Sequence, residues 1–77
     1  MKVNVLLFGN LAEEAGKESI EVNDIFELER LRKHMSETYP FLDKIKFQVS
    51  VNKNLVSGNV SLKDGDEIAF LPPFSGG

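Results

Sequence analysis

The stretch Asp66-Glu67-Ile68-Ala69-Phe70-Leu71-Pro72-Pro73-Phe74-Ser75-Gly76-Gly77 decides how this chain is built. Its first half alternates as a strand, with Ile68 and Phe70 on one face and Ala69 and Leu71 on the other. A strand apolar on both faces fits the middle of a sheet, beside another of the same kind. Pro72 and Pro73 then lack backbone N–H groups and fix φ, so neither strand nor helix continues through them. They favour an extended, stiffened exit. Fully extended, the residues from Pro72 onward reach roughly 20 Å, at about 3.3 to 3.6 Å each. Gly76 and Gly77 have no side chain, so such a tail can enter a channel that admits only backbone. The pattern describes a body that holds out a carboxylate on a thin stalk.

The whole chain has 77 residues, a net charge of −3 and 42% hydrophobic residues. That is one small domain, expected to span residues 1–77 with its tail at 72–77. The acidic balance argues against a nucleic-acid partner, which wants clustered Lys and Arg. It suggests instead that whatever grips the tail offers a basic surface. No apolar run approaches the roughly 18 residues of a membrane span. The opening Lys2-Val3-Asn4-Val5-Leu6-Leu7-Phe8 is too short and too alternating for a signal peptide, so the expected compartment is the cytoplasm. Cysteine is absent. No disulfide, thiolate or cysteine metal site is available, and sulfur chemistry would fall to the terminal carboxylate.

Upstream, residues 2–8 alternate as a first strand with Val3, Val5 and Leu7 on one face. Lys2, Asn4, Leu6 and Phe8 take the other. Leu11 to Ala15 forms a short helical turn closed by Gly16. Glu18 to Val22 resumes period two as the second arm of a loose hairpin. Asp24 with Glu27 resembles a capping box. Leu28, Leu31, Met35 and Tyr39 then mark one stripe of an amphipathic helix, which Pro40 ends at Tyr39. Leu42 and Ile45 anchor a connection. Phe47, Val49 and Val51 mark a third strand, Asn52-Lys53-Asn54 a turn, and Leu55-Val56 a very short fourth strand. Asp64-Gly65 turns into the last one. The order ββαββ, with one main helix, predicts an α+β fold of the β-grasp type. It has a mixed sheet of about five strands packed on that helix, the first and last strands adjacent and parallel.

Few constellations carry chemistry. His34, the sole histidine, sits late in the helix, where a cation suits the dipole, and reads as solvated. Asp64-Gly65-Asp66-Glu67 lacks the remaining ligands of a calcium loop and reads as a turn, so no metal is expected. The carboxylates show no pairing on one element for acid–base work. If the first and last strands are adjacent, Leu6, Phe8, Ala69 and Leu71 form an apolar patch at the root of the tail. Such patches mark partner surfaces.

Leu62-Lys63-Asp64-Gly65-Asp66-Glu67-Ile68-Ala69-Phe70-Leu71-Pro72-Pro73-Phe74-Ser75-Gly76-Gly77 closely resembles the C-terminus of the molybdopterin synthase small-subunit family. That family ends in L-x-D-G-D-E-[VI]-A-F-x-P-P-x-[ST]-G-G. Val51 to Ser57 and Val5 to Phe8 are similar as well. Thiamin-pathway sulfur carriers share the fold and the Gly-Gly but typically lack the Pro-Pro. Phe74 stands where the family often has Val, and Ala12 where Arg is common.

The resemblance implies a ubiquitin-like sulfur carrier whose Gly77 is adenylated by an ATP-dependent activating enzyme and converted to a thiocarboxylate. Gly76, Ser75, Phe74, Pro73 and Pro72 would thread and position the tail in the large synthase subunit. There the sulfur passes to cyclic pyranopterin monophosphate to build the molybdopterin dithiolene. It implies no cofactor on the chain itself, ATP being bound by the activating enzyme. The implied partners are that enzyme, the large subunit in a heterotetramer, and a sulfur donor. Two other readings stand beside it: a ubiquitin-like modifier joined to lysines through Gly77, and a thiamin-pathway sulfur carrier.

Overall fold

The computed structural model describes residues 1–73. Eight elements follow one another: β1 (Lys2–Leu7), α1 (Asn10–Ala15), β2 (Ser19–Asn23), α2 (Leu28–Thr38), a 3-10 helix (Pro40–Lys44), β3 (Gln48–Val51), β4 (Asn54–Val56) and β5 (Glu67–Leu71). The five strands form one mixed sheet in the order β2-β1-β5-β3-β4. Strands β1 and β5 are parallel, with Val5 opposite Ile68 and Leu7 opposite Phe70; the other pairs are antiparallel. This is the expected β-grasp arrangement. No helix among the described residues is long and apolar enough to cross a membrane.

The inner face of the sheet supplies the core. Val3, Val5, Leu7, Val22, Val49, Ile68 and Phe70 are buried there, in one cluster with Leu28, Leu31 and Met35 of α2 and with Leu11, Leu42 and Leu62. Period two on the strands meets period 3.6 on the helix, each burying one side. Phe47 stacks on Phe70 with centroids 4.7 Å apart, so the last strand is clamped from its β3 side as well.

Two turns show why particular residues stand where they do. Strands β3 and β4 are joined by Asn52 and Lys53 alone, at φ 50° and 72°, the left-handed pair that a two-residue hairpin requires. Asn52 secures it: its amide nitrogen donates to Asp66 Oδ1 at 2.9 Å and its oxygen accepts from the Glu67 N–H at 3.0 Å. At the other turn, Asp64 Oδ1 accepts from the Lys2 N–H and Asp66 Oδ2 from the Lys63 N–H, both at 2.8 Å. The acidic run before β5 is thus a backbone clasp.

Helix α2 departs from the sequence reading at both ends. No capping box forms: Glu27 precedes the helix without a side-chain cap, and Asp24 lies at φ 60° outside it. Instead Glu27 bridges to Ser61, and the Leu28 N–H donates to the Val60 carbonyl at 2.9 Å. The Glu29 N–H is satisfied by Asn59 Oδ1 at 2.9 Å. A loop thirty positions away in the chain does the work expected of Asp24. The helix ends at Thr38, with Tyr39 as its cap, donating its N–H to the Met35 carbonyl at 2.7 Å. Its last turn carries no cation, so Lys33 and His34 lie earlier than a dipole partner would. Likewise β1 stops at Leu7, leaving Phe8 just beyond it.

Replacing this remote cap, Asn59→Ala, should cost about 1 kcal/mol, as losing an ordinary cap does, whereas Glu27→Ala should cost clearly less. Chemical denaturation of both variants checks the order. For the core, Phe70→Ala should lose about 3 to 5 kcal/mol. A loss under about 1 kcal/mol would mean that Phe47 collapses into the space.

Candidate functional site

Strand β5 occupies the centre of the sheet, so the chain leaves the body between two neighbours. On one side the parallel register sets Leu7 against Phe70, which brings Phe8 and Gly9 alongside Leu71 and Pro72. On the other the antiparallel register sets Gln48 against Leu71, which brings Phe47 alongside Pro72. Gly9 lies at φ 55°, and a Cβ built there would sit 3.1 Å from Cγ of Pro72. Backbone conformation and close approach both suit glycine at this point. Pro72 is accordingly half-buried against the β1–α1 turn, while Pro73 is exposed. The tail is seated at its root, Pro72. Phe74, Ser75, Gly76 and Gly77, which the sequence reading placed along the thread, lie outside the described residues.

Beside this root the outer face of the sheet forms an apolar groove of about 370 Å³. Leu6, Phe8, Ala69 and Leu71 all line it, so the structure brings together the residues that the sequence placed on one patch. They are not equivalent. Phe8 is 45% exposed, whereas Ala69 is 8% exposed and forms the floor. Leu6 and Leu71 are half-buried walls.

Leu55, on β4, completes the groove at 63% exposure and was not singled out from the sequence. The register explains its place. Leu55 pairs with Ser50, Ser50 with Ala69, Ala69 with Leu6, and Leu6 with Ser19, one row across all five strands. The signal in the sequence was the two-residue turn before β4, which sets which face Leu55 shares. Gly9 was likewise not singled out from the sequence.

Chemistry-bearing side chains are sparse near the root. Asp64 is committed to a backbone group and Asp66 to a backbone group and the Asn52 amide, as above, and no three His, Asp or Glu residues among those described could hold a metal ion. His34 lines a shallow groove on α2 with Ile25, Arg30, Lys33 and Glu37, none of them residues of the tail root. What the site offers is a seated tail and an apolar surface beside it. That arrangement can present a C-terminal group to another protein's active site.

Known proteins agree with this geometry. A model of the ThiS family matches residues 5–77. The chain is 40% identical to the molybdopterin synthase sulfur carrier subunit of Escherichia coli, covering 97% of this chain and 99% of that one. It is 36% identical to the protein of the same description from Haemophilus influenzae, with the same coverage. Among solved structures, a complex of subunits 1 and 2 of the molybdopterin-converting factor from Helicobacter pylori matches with a TM-score of 0.76 and 30% identity, over 100% of both chains. Small archaeal modifier protein 1 from Methanosarcina acetivorans matches with a TM-score of 0.84 and 28% identity, over 99% of this chain and 96% of that one. With the sheet order, the central parallel pair and a family match running through the tail, the chain belongs to the ThiS family of ubiquitin-like β-grasp proteins.

Proposed function

We propose that this protein is the sulfur carrier and small subunit of a molybdopterin synthase. The observation that carries the reading is the root of the tail: β5 ends at the centre of the sheet, Pro72 seats against Gly9, and an apolar groove opens alongside. A partner that covers the groove takes the tail into its own interior. The curated relatives point to the chemistry.

A carboxylate is a poor acyl donor until one oxygen becomes a leaving group. ATP, bound by an activating enzyme, supplies that group: the Gly77 carboxylate attacks the α-phosphorus, pyrophosphate departs, and an acyl-adenylate forms. A sulfur donor then displaces AMP to leave a thiocarboxylate, whose sulfur is a competent nucleophile. In the large subunit that sulfur attacks a carbon of the pyranopterin substrate and displaces an oxygen substituent from it; water then cleaves the acyl–sulfur bond, which leaves the sulfur on the substrate and restores the Gly77 carboxylate. Two such transfers build one dithiolene. Gly76 to Pro72 serve as the thread, and the acid–base groups come from the partners. The cytoplasm, where ATP and the precursor are both available, is the compartment this chemistry asks for.

A second reading has its own support. The likeness to a small archaeal modifier protein favours conjugation through Gly77 to lysines, and the family match also accommodates a thiamin-pathway carrier. Intact-mass measurement of the chain from its native source, with fragmentation of the C-terminus, separates them. The proposal expects an increment equal to one oxygen replaced by sulfur, located at Gly77. Gly77 found in isopeptide bonds to lysines of other proteins would move the assignment to a modifier. Deleting Gly77 should abolish sulfur transfer in a reconstituted synthase while leaving the thermal melt of the body unchanged.

The groove gives a separate expectation. Phe8→Asp puts a charge on an apolar contact without touching the core, and should weaken binding to the large subunit about tenfold or more, as loss of a buried interface aromatic does. Titration calorimetry with wild type and variant reads the difference. Unchanged affinity would remove the groove from the interface.

A further inference from the structure

The two sides of the tail's exit carry charge of opposite sign. On the β1 side, a groove of about 510 Å³ runs past Phe8, Gly9 and Ala12 with Glu13 and Glu18 on its walls. On the β3 side, a groove of about 930 Å³ lies between α2 and the segment leading into β3, lined by Arg32, Lys33, Lys46 and Phe47. Glu37 and Asp43 also line this larger groove, outnumbered by its cations. The registers already described bring Phe8 and Gly9 to one flank of Pro72 and Phe47 to the other, so both grooves reach the same exit.

Neither set of charges is neutralised from within. Among the described residues, no carboxylate lies within 4.0 Å of Arg32, Lys33 or Lys46, and no cation within that distance of Glu13 or Glu18. The separation extends along the chain. Residues 30–46 hold five Lys and Arg against two carboxylates, net +3, which leaves −6 for the remainder of a chain of net −3. Among the described residues Arg32 has no ion pair and packs instead on an aromatic ring: its guanidinium carbon lies 5.5 Å from the Phe47 ring centroid, and Phe47 stacks on Phe70 of β5. A cation is thus packed, through Phe47, onto the last strand two residues before Pro72.

An extended tail threaded through a channel fixes the axis of approach and leaves rotation about that axis unset. We propose that the bipolar rim sets it: the protein that takes the tail presents a cation to Glu13 and Glu18 and carboxylates to Arg32 and Lys46. Docked a half-turn away, the same surfaces would set like charges together, which disfavours that setting. In the correct setting they steer encounter and raise the association rate. The inference rests on the carrier reading above and names a feature of its partner's surface.

The test is association kinetics of full-length chain with the large synthase subunit from the same organism, followed by stopped flow. One variant reverses the basic side, Arg32→Glu with Lys46→Glu; another reverses the acidic side, Glu13→Lys with Glu18→Lys. Their net charges become −7 and +1, starting from −3. If the rim acts as proposed, both reversals slow association by about tenfold at roughly 10 mM ionic strength, where the Debye length is about 30 Å. Both differences vanish near 1 M salt, where it is about 3 Å. Responses of opposite sign would mean that net charge alone governs encounter, and would overturn the inference, as would two unchanged rates. Because Arg32 also packs on Phe47, the single variants Lys46→Glu and Glu13→Lys, at exposed positions, must shift the rate in the same direction with unaltered thermal melts. Wild type that transfers sulfur while the reversals leave its association rate untouched discards the rim and keeps the function. Wild type that neither binds nor transfers sulfur discards both.

Discussion

The structure depends on one pairing, the parallel contact between the first strand and the last. Strands β1 and β5 are farthest apart in sequence among the elements, yet lie side by side at the centre of the sheet with Val5 facing Ile68 and Leu7 facing Phe70. Parallel neighbours cannot be joined by a tight turn. Here everything between Asn10 and Asp66 serves as the connection, and α2 lies across the inner face that the two strands share. Phe70, Ile68, Val5 and Val3 are at 1% exposure or less, so the inner face of this pair lies in the core. The tail therefore starts from a strand paired on both sides and buried on its inner face.

That placement has a functional consequence. A tail attached to an edge strand or a frayed terminus would wander at its base and lose orientation entropy on every engagement. Attached to β5 and seated by Pro72 on Gly9, it leaves the body at a defined point beside a defined surface. The division of labour follows. The body supplies rigidity, an apolar groove and a charged rim, while the carboxylates nearest the start of β5, Asp64 and Asp66, are spent on clasping backbone. In the proposed reaction the reagents belong to the partners, and the carrier has to be recognised by more than one of them through the same small face.

The fold was legible because its signals are local and periodic. Val3, Val5 and Leu7, then Ile68 and Phe70, each declare a face by alternation; Leu28, Leu31 and Met35 declare a helix by their spacing of three and four. Doubly apolar first and last strands were enough to predict their adjacency. What failed was the start of α2. Asp24 and Glu27 have the spacing of a capping box, but Glu27 is drawn into a bridge with Ser61, and Asn59 takes over the cap. A local pattern lost to hydrogen bonds from a distant loop, which no window around residue 27 contains.

The site divides in the same way. The sequence by itself determined the tail's composition, the stiff Pro72-Pro73 exit and the identity of the apolar residues Leu6, Phe8, Ala69 and Leu71, because these follow from side-chain chemistry and period-two alternation. Only the tertiary structure decided that Ala69 is a floor and Phe8 a wall, that Leu55 joins them from β4, and that Gly9 receives Pro72. It alone set Glu13 and Glu18 on one flank of the exit and Arg32 and Lys46 on the other. The reason is register: which residues stand beside β5 depends on how two separate strands, β1 and β3, slide into place against it, and that is settled by the packing of the whole core.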